Sequence, residues 1–131
     1  MMKIGELAKL TGCSVQTIRY YEKEKLLKSK TRSEGNFRLY DASAVEQLMF
    51  IKHCRSLDLA LSEVRQLIEL NQSPGTHCDD VNKMIDNHIE QVEQRMTELE
   101  RLRQQLTSLR NSCSNNRTIE ECGILQNLLA K

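Results

Sequence analysis

The 131 residues include no tryptophan, two phenylalanines and three tyrosines, so aromatic side chains make up only 4% of the chain. Its core must therefore be built mainly from Leu, Ile and Val, which suits packed helices. One proline and five glycines are too few for a many-turned β-sandwich or barrel. No apolar run approaches the roughly 18 residues of a membrane span, and the N-terminus lacks the hydrophobic stretch of a signal peptide. The chain is thus expected in the cytoplasm, with no membrane partner. In that reducing setting Cys13, Cys54, Cys78, Cys113 and Cys122 should stay thiols, and an odd number excludes a fully paired disulfide framework. With no Cys-x-x-Cys pair and no nucleophile–base–orienter set, no enzyme is expected.

What is present is a foldable balance of 39% hydrophobic and 28% charged residues, with a net charge of only +1. The charge is unevenly spread. Residues 1–40 carry nine Lys/Arg against four Asp/Glu, whereas residues 71–131 carry seven against nine. A basic N-terminal module on a mildly acidic remainder points to a polyanion partner for the first part alone.

Ile4, Leu7, Ala8 and Leu10 have helical spacing, and Thr11-Gly12-Cys13-Ser14 breaks it, with Ser14 a good N-cap. A second helix is predicted from Val15 to about Lys25. Val15, Ile18 and Tyr21 mark its inner face, and Gln16, Arg19, Tyr20 and Lys23 share another. Two short helices around a tight Gly-containing turn form a helix-turn-helix pattern. An ordinary solvated helix face would look the same, so the next segment decides. Residues 31–40 read as two short strands around Glu34-Gly35-Asn36, with Phe37 and Leu39 pointing one way and Arg38 and Tyr40 the other. A basic hairpin after a helix-turn-helix is a wing that can grip phosphate. The DNA-facing set is then Gln16, Thr17, Arg19, Tyr20, Lys23, Arg32, Asn36, Arg38 and Tyr40, with Tyr40 either touching the DNA backbone or bracing the wing.

Asp41 or Ser43 should cap a helix to about Arg55, and Leu61, Val64, Leu67 and Ile68 mark another that ends before Ser73-Pro74-Gly75. Residues 79–112 contain neither glycine nor proline. Ile85, Val92, Leu99 and Leu106 recur every seven residues, and Val81, Leu102 and Leu109 fill companion positions interrupted by His88 and Arg95. This heptad seam of about four repeats needs a partner helix, most simply a second copy of the chain. Thr118-Ile119-Glu120-Glu121 has a capping-box pattern, and Ile124, Leu125, Leu128 and Leu129 form an apolar tail that would dock on the dimer. The expected fold is mainly α. A winged helix-turn-helix DNA-binding domain occupies residues 1–72, an antiparallel coiled-coil dimerisation helix 78–112, and a loop and tail 113–131.

The motifs Lys3-Ile4-Gly5-Glu6-Leu7-Ala8, Thr17-Ile18-Arg19-Tyr20-Tyr21-Glu22 and Gly35-Asn36-Phe37-Arg38-Leu39-Tyr40, with Cys78, Cys113 and Cys122, resemble the MerR family of metal-responsive transcription regulators. Cys122-Gly123-Ile124-Leu125 resembles its lead- and cadmium-responsive branch. The resemblance implies a homodimer on double-stranded promoter DNA that kinks and untwists an over-long spacer for RNA polymerase when metal binds. It also implies control of a heavy-metal efflux or sequestration operon.

Cys78 and Cys113 flank a helix roughly 50 Å long, so they cannot share an ion within one chain. In an antiparallel pair, Cys78 of one protomer lies beside Cys113 and Cys122 of the other. The register that faces Cys78 with Cys113 also faces Ile85 with Leu106, Ile89 with Leu102 and Val92 with Leu99. Arg95 and Met96 then flank the two-fold axis, and Val81, Ile85, Ile89, Val92, Met96, Leu99, Leu102 and Leu106 make the dimer interface. Cys113 and Cys122 sit in a polar loop where burial explains them poorly, whereas Cys54 and Cys13 read as packing thiols. Three thiolates favour Pb(II) or Cd(II), and equally suit Hg(II). Zn(II) prefers four ligands in a closed site, and Ser112 and Ser114 offer none beside Cys113. His77 or a water could complete the shell. Two readings compete: a thiol redox sensor, and a coiled-coil adaptor that would leave the wing and thiols idle.

Overall fold

The computed structural model describes residues 1–130 and divides into two compact units, Met1–Val81 and Asn82–Lys131. In the first unit, helix α1 (Ile4–Thr11) and helix α2 (Val15–Lys23) flank a tight turn. Gly12 closes α1 in the left-handed region at φ 72°, where a side chain would be strained, and its N–H donates to the Ala8 carbonyl. The Lys52 ammonium also donates to the Thr11 carbonyl, at 2.8 Å. That places a cation on the negative end of α1. Ser14 caps α2 as expected, its Oγ accepting the Thr17 N–H at 3.1 Å.

The end of α2 differs from the sequence expectation. The helix stops at Lys23 because Lys25 turns left-handed at φ 61°, letting the Leu26 N–H donate back to the Tyr21 carbonyl. This closure usually falls to glycine. Here it delivers Leu26 and Leu27 into the core, where they are 3% and 4% exposed. Asp58 closes helix α3 (Ala42–Ser56) in the same way, with Leu59 as the buried anchor.

Strands β1 (Thr31–Arg32) and β2 (Arg38–Leu39) pair antiparallel, Thr31 with Leu39 and Arg32 with Arg38. Beyond them Tyr40 bridges Met2 through two backbone hydrogen bonds of 2.8 Å, tying the hairpin to the N-terminus. Asp41 is the N-cap of α3, accepting from the Ser43 and Ala44 N–H groups, which hold its carboxyl below the usual range together with the Ser43 hydroxyl, the largest influence. Helix α4 (Leu61–Asn71) completes the unit. Its core joins Leu7, Ile18, Tyr21, Tyr40, Leu48, Ile51, Cys54 and Val64. Cys54 is a packing thiol, as expected, and burial raises its pKa.

Helix α5 runs unbroken from Asp79 to Asn111. Its seam residues Ile89, Met96, Leu99, Leu102 and Leu106 are exposed in the isolated chain. A single 3-10 turn (Ile119–Glu121) and helix α6 (Gly123–Leu129) follow. The capping box expected at Thr118 is not made. The turn is one residue tighter than an α-turn and closes through the Glu121 N–H on the Thr118 carbonyl, without a side-chain cap. No described helix is long and apolar enough to cross a membrane.

Candidate nucleic-acid interface and metal centre

In the first unit a cleft of about 720 Å³ opens between the start of α1, helix α2 and the wing. Lys3, Lys9, Arg19, Arg32 and Arg38 bring five cations to it against the single carboxylate of Glu6. Such a concave cationic surface suits a phosphate backbone. Arg32 is held in place by its own wing: its guanidinium donates to the Asn36 carbonyl at 3.2 Å and to the Asn36 side chain at 3.3 Å. Asn36 takes φ 65° at the wing tip.

The other DNA-facing residues named from the sequence fall elsewhere. Gln16, Thr17 and Tyr20 line a second depression with Arg55 and Leu61. Lys23 lies in a third, beside Lys25 and Lys28. Gln16, Arg19, Tyr20 and Lys23 are all exposed, whereas Thr17 is half-buried with its hydroxyl accepting from Ser14.

Tyr40 requires a correction. It is 0% exposed, so it presents no surface to DNA, and of its two expected roles the structure gives the brace. Its hydroxyl donates to the Glu22 carboxylate, which also lies 3.5 Å from the Arg38 guanidinium. Burial, then the Glu22 hydrogen bond, raise the Tyr40 pKa far above the usual phenol range. Arg38 and Tyr40 therefore converge on one carboxylate of α2, which fixes the wing against that helix. Phe37, expected on the same side of the hairpin as Leu39, lies at the surface. Phe37 is 58% exposed, with the Lys3 ammonium 4.7 Å from its ring centroid. No local sequence pattern singles out Lys3 and Lys9; the Met2–Tyr40 bridge brings the N-terminus to the hairpin, where Lys3 meets Phe37.

In the second unit the chain leaves α5, loops through Asn116 at φ 70°, and returns to begin α6. The Arg110 guanidinium donates to the Cys113 carbonyl at 2.7 Å and to the Asn115 side chain at 3.0 Å. Gly123 returns against the end of α5 so closely that a Cβ there would sit 2.9 Å from the Ser112 carbonyl carbon. The fold-back brings the two loop cysteines together. The Leu125 N–H chiefly lowers the Cys122 pKa, helped by the Cys113 side chain, the Ile124 N–H and the Arg117 charge. Both thiols are half-buried, whereas Cys78, immediately before α5, is exposed, as is His77. Among the described residues no three His, Cys, Asp or Glu side chains of the single chain converge as a metal site. Two adjacent thiols, one with its thiolate favoured, are a donor set that fits a soft cation.

Comparison with known proteins agrees with this architecture. The profile of "MerR HTH family regulatory protein" matches residues 2–71, and that of "MerR, DNA binding" matches residues 45–109. The chain is 43% identical over 115 residues to a ZntR-homologue transcriptional regulator of Haemophilus influenzae, covering 88% of this chain and 85% of that one. It is 33% identical to the mercuric resistance operon regulatory protein of Bacillus cereus, covering 98% of each. Among solved structures it resembles the transcription regulator PbrR691 from Ralstonia metallidurans CH34 in complex with lead(II). The TM-score is 0.89 and the identity 51%, over 98% of this chain and 99% of that one.

Proposed function

The chain belongs to the MerR family of helix-turn-helix regulators, and from that premise we propose that it activates a heavy-metal resistance promoter when Pb(II) or Cd(II) engages three cysteine thiolates. Membership makes it a DNA-binding regulator of the metal-responsive kind rather than an enzyme. The observation that carries the finer reading is the loop that gathers Cys113 and Cys122 at one end of α5. Cys78 precedes the other end of this helix, which at 33 residues is roughly 50 Å long. The third thiolate is therefore Cys78 of the partner subunit, in an antiparallel homodimer. The exposed seam from Ile85 to Leu106 supports that pairing, because Ile85, Ile89 and Val92 offer apolar surface that a second α5 would cover.

In this reading two helices α2 and two wings dock on an inverted-repeat promoter in the cytoplasm. Arg19, Arg32 and Arg38 lie against phosphates, Tyr20 makes a hydroxyl contact, and Gln16, Thr17, Lys23 and Asn36 complete the interface. The bound metal draws together thiols from both chains, which favours one dimer geometry over another. Only such a difference in affinity shifts the equilibrium between a repressing and an activating conformer. The change is read as DNA distortion, which re-aligns promoter elements for RNA polymerase. Three thiolates also suit Hg(II), and the Bacillus cereus relative gives that alternative weight. Zn(II) is less favoured, since Ser112 and Ser114 flank Cys113.

Titration of the reduced dimer with Pb(II), Cd(II), Hg(II) and Zn(II) tests the reading, following thiolate-to-metal charge-transfer absorption. Pb(II) and Cd(II) should bind tightly at two ions per dimer and alter reactivity at the promoter centre. Loss of neither site in Cys78→Ser would refute the three-thiolate assignment, and metal-driven release from DNA without distortion would refute the switch.

A further inference from the structure

The loop that carries Cys113 and Cys122 is held closed by contacts that involve neither thiol. At one end the Arg110 guanidinium clamps the Cys113 carbonyl and the Asn115 side chain at 2.7 and 3.0 Å. At the other, α6 begins against the last turn of α5. A Cβ on Gly123 would fall inside the Ser112 carbonyl oxygen and lie 2.9 Å from the carbonyl carbon and 3.6 Å from the Cys113 Cα. These obstacles are backbone atoms, which cannot swing aside as the end of a side chain can. Gly123 is therefore required by space, since only a residue without Cβ can let Cys122 follow the chain back to Cys113. Farther along, the Gln126 side chain donates to the Glu120 carbonyl at 3.4 Å and fixes the entry to α6.

We propose that Gly123 and Arg110 are positioning residues that pre-form a two-thiol arm, Cys113 with Cys122, within each chain before any metal arrives. This inference rests on the reading of those cysteines as ligands and adds the order of events. The arm is the part of the site built within one chain, and Cys78 of the partner subunit completes it, which couples metal to dimer geometry. An ion then meets two thiols already at their spacing, so the ordering cost of the loop is met by folding and not by binding. A larger residue at 123 separates the thiols while leaving each one present and reactive.

The test needs no metal and no Cys78. In the full-length Cys13→Ala, Cys54→Ala, Cys78→Ser chain, only Cys113 and Cys122 remain. Phenylarsine oxide bridges two nearby thiols, whereas iodoacetamide reports each thiol singly. The parent should capture one arsenical per chain. Gly123→Ala and Arg110→Gln should weaken that capture by roughly tenfold or more, as the effective concentration of the second thiol falls. Alkylation of both cysteines should persist, and Arg110→Lys should recover part of the loss. Arg110→Gln leaves the Gly123–Ser112 approach untouched, so it carries the test should Gly123→Ala fail to fold. Equal capture by parent and folded variants would overturn the proposal, as would a parent that captures none. If capture follows these expectations but the wild-type dimer takes up no Pb(II) or Cd(II), the arm stands and the metal assignment fails.

Discussion

Replacing Tyr40 with Phe removes one hydroxyl from a fully buried ring and leaves its shape intact. The lost contact is a hydrogen bond to the Glu22 carboxylate, whose side chain is only 12% exposed. Hydrogen bonds to charged groups contribute about 1.5–3 kcal/mol, and an under-satisfied buried acceptor adds to the loss. Arg38 stays 3.5 Å from Glu22 and partly compensates, but it is 43% exposed and screened by solvent. The expected destabilisation is therefore about 1.5–2 kcal/mol. It should be measured by urea unfolding at fixed protomer concentration, because the stability of the proposed dimer would depend on that concentration. Glu22→Gln and the double variant complete a thermodynamic cycle. A coupling of about 1 kcal/mol or more is expected if the two side chains interact as described. Promoter affinity should fall with stability well above the unfolding range, since the same bond sets the wing against α2. A Tyr40→Phe loss below about 0.5 kcal/mol with normal promoter affinity would refute the brace.

Arg19→Ala should weaken promoter binding and flatten its salt dependence by about one unit of slope, with dimer and metal uptake unchanged. An unchanged slope in gel-shift titrations would remove Arg19 from the phosphate contacts. Mixing Cys78→Ser chains with Cys113→Ser/Cys122→Ser chains should rebuild one complete three-thiolate site per heterodimer, read as one tightly bound Pb(II). Neither homodimer should hold one, and a heterodimer without recovery would end the shared-site arrangement. Leu99→Glu places a charge on the exposed seam and should shift sedimentation from dimer toward monomer, whereas a persistent dimer would relocate the interface. The lowered Cys122 pKa means that its thiolate persists to lower pH than in an ordinary thiol. Alkylation of Cys122 should therefore decline only at lower pH, and Arg117→Gln, which removes a favourable charge, should move that decline upward. No movement would discount Arg117.

Elements specified by local pattern were legible in the chain itself. Heptad spacing without glycine or proline marked α5 to within a residue at its end, Ser14 announced the start of α2, and of the two caps open for α3, Asp41 or Ser43, the structure takes Asp41. The same periodicity marked the seam, because burial of one helix face needs no knowledge of what covers it. Tertiary structure decided what depends on residues far apart. Lys25 and Asp58 end their helices in a conformation their side chains disfavour, drawn there by Leu26, Leu27 and Leu59 entering the core. Tyr40 shares a side with Arg38, as alternation predicts, but its burial came from a bridge to Met2 and a carboxylate on α2. The loop cysteines could be named from their setting. Their adjacency, however, depends on the approach of Gly123 to the Ser112 backbone, a contact across the fold-back that a string of residues cannot display, with the short-range Arg110 clamp beside it.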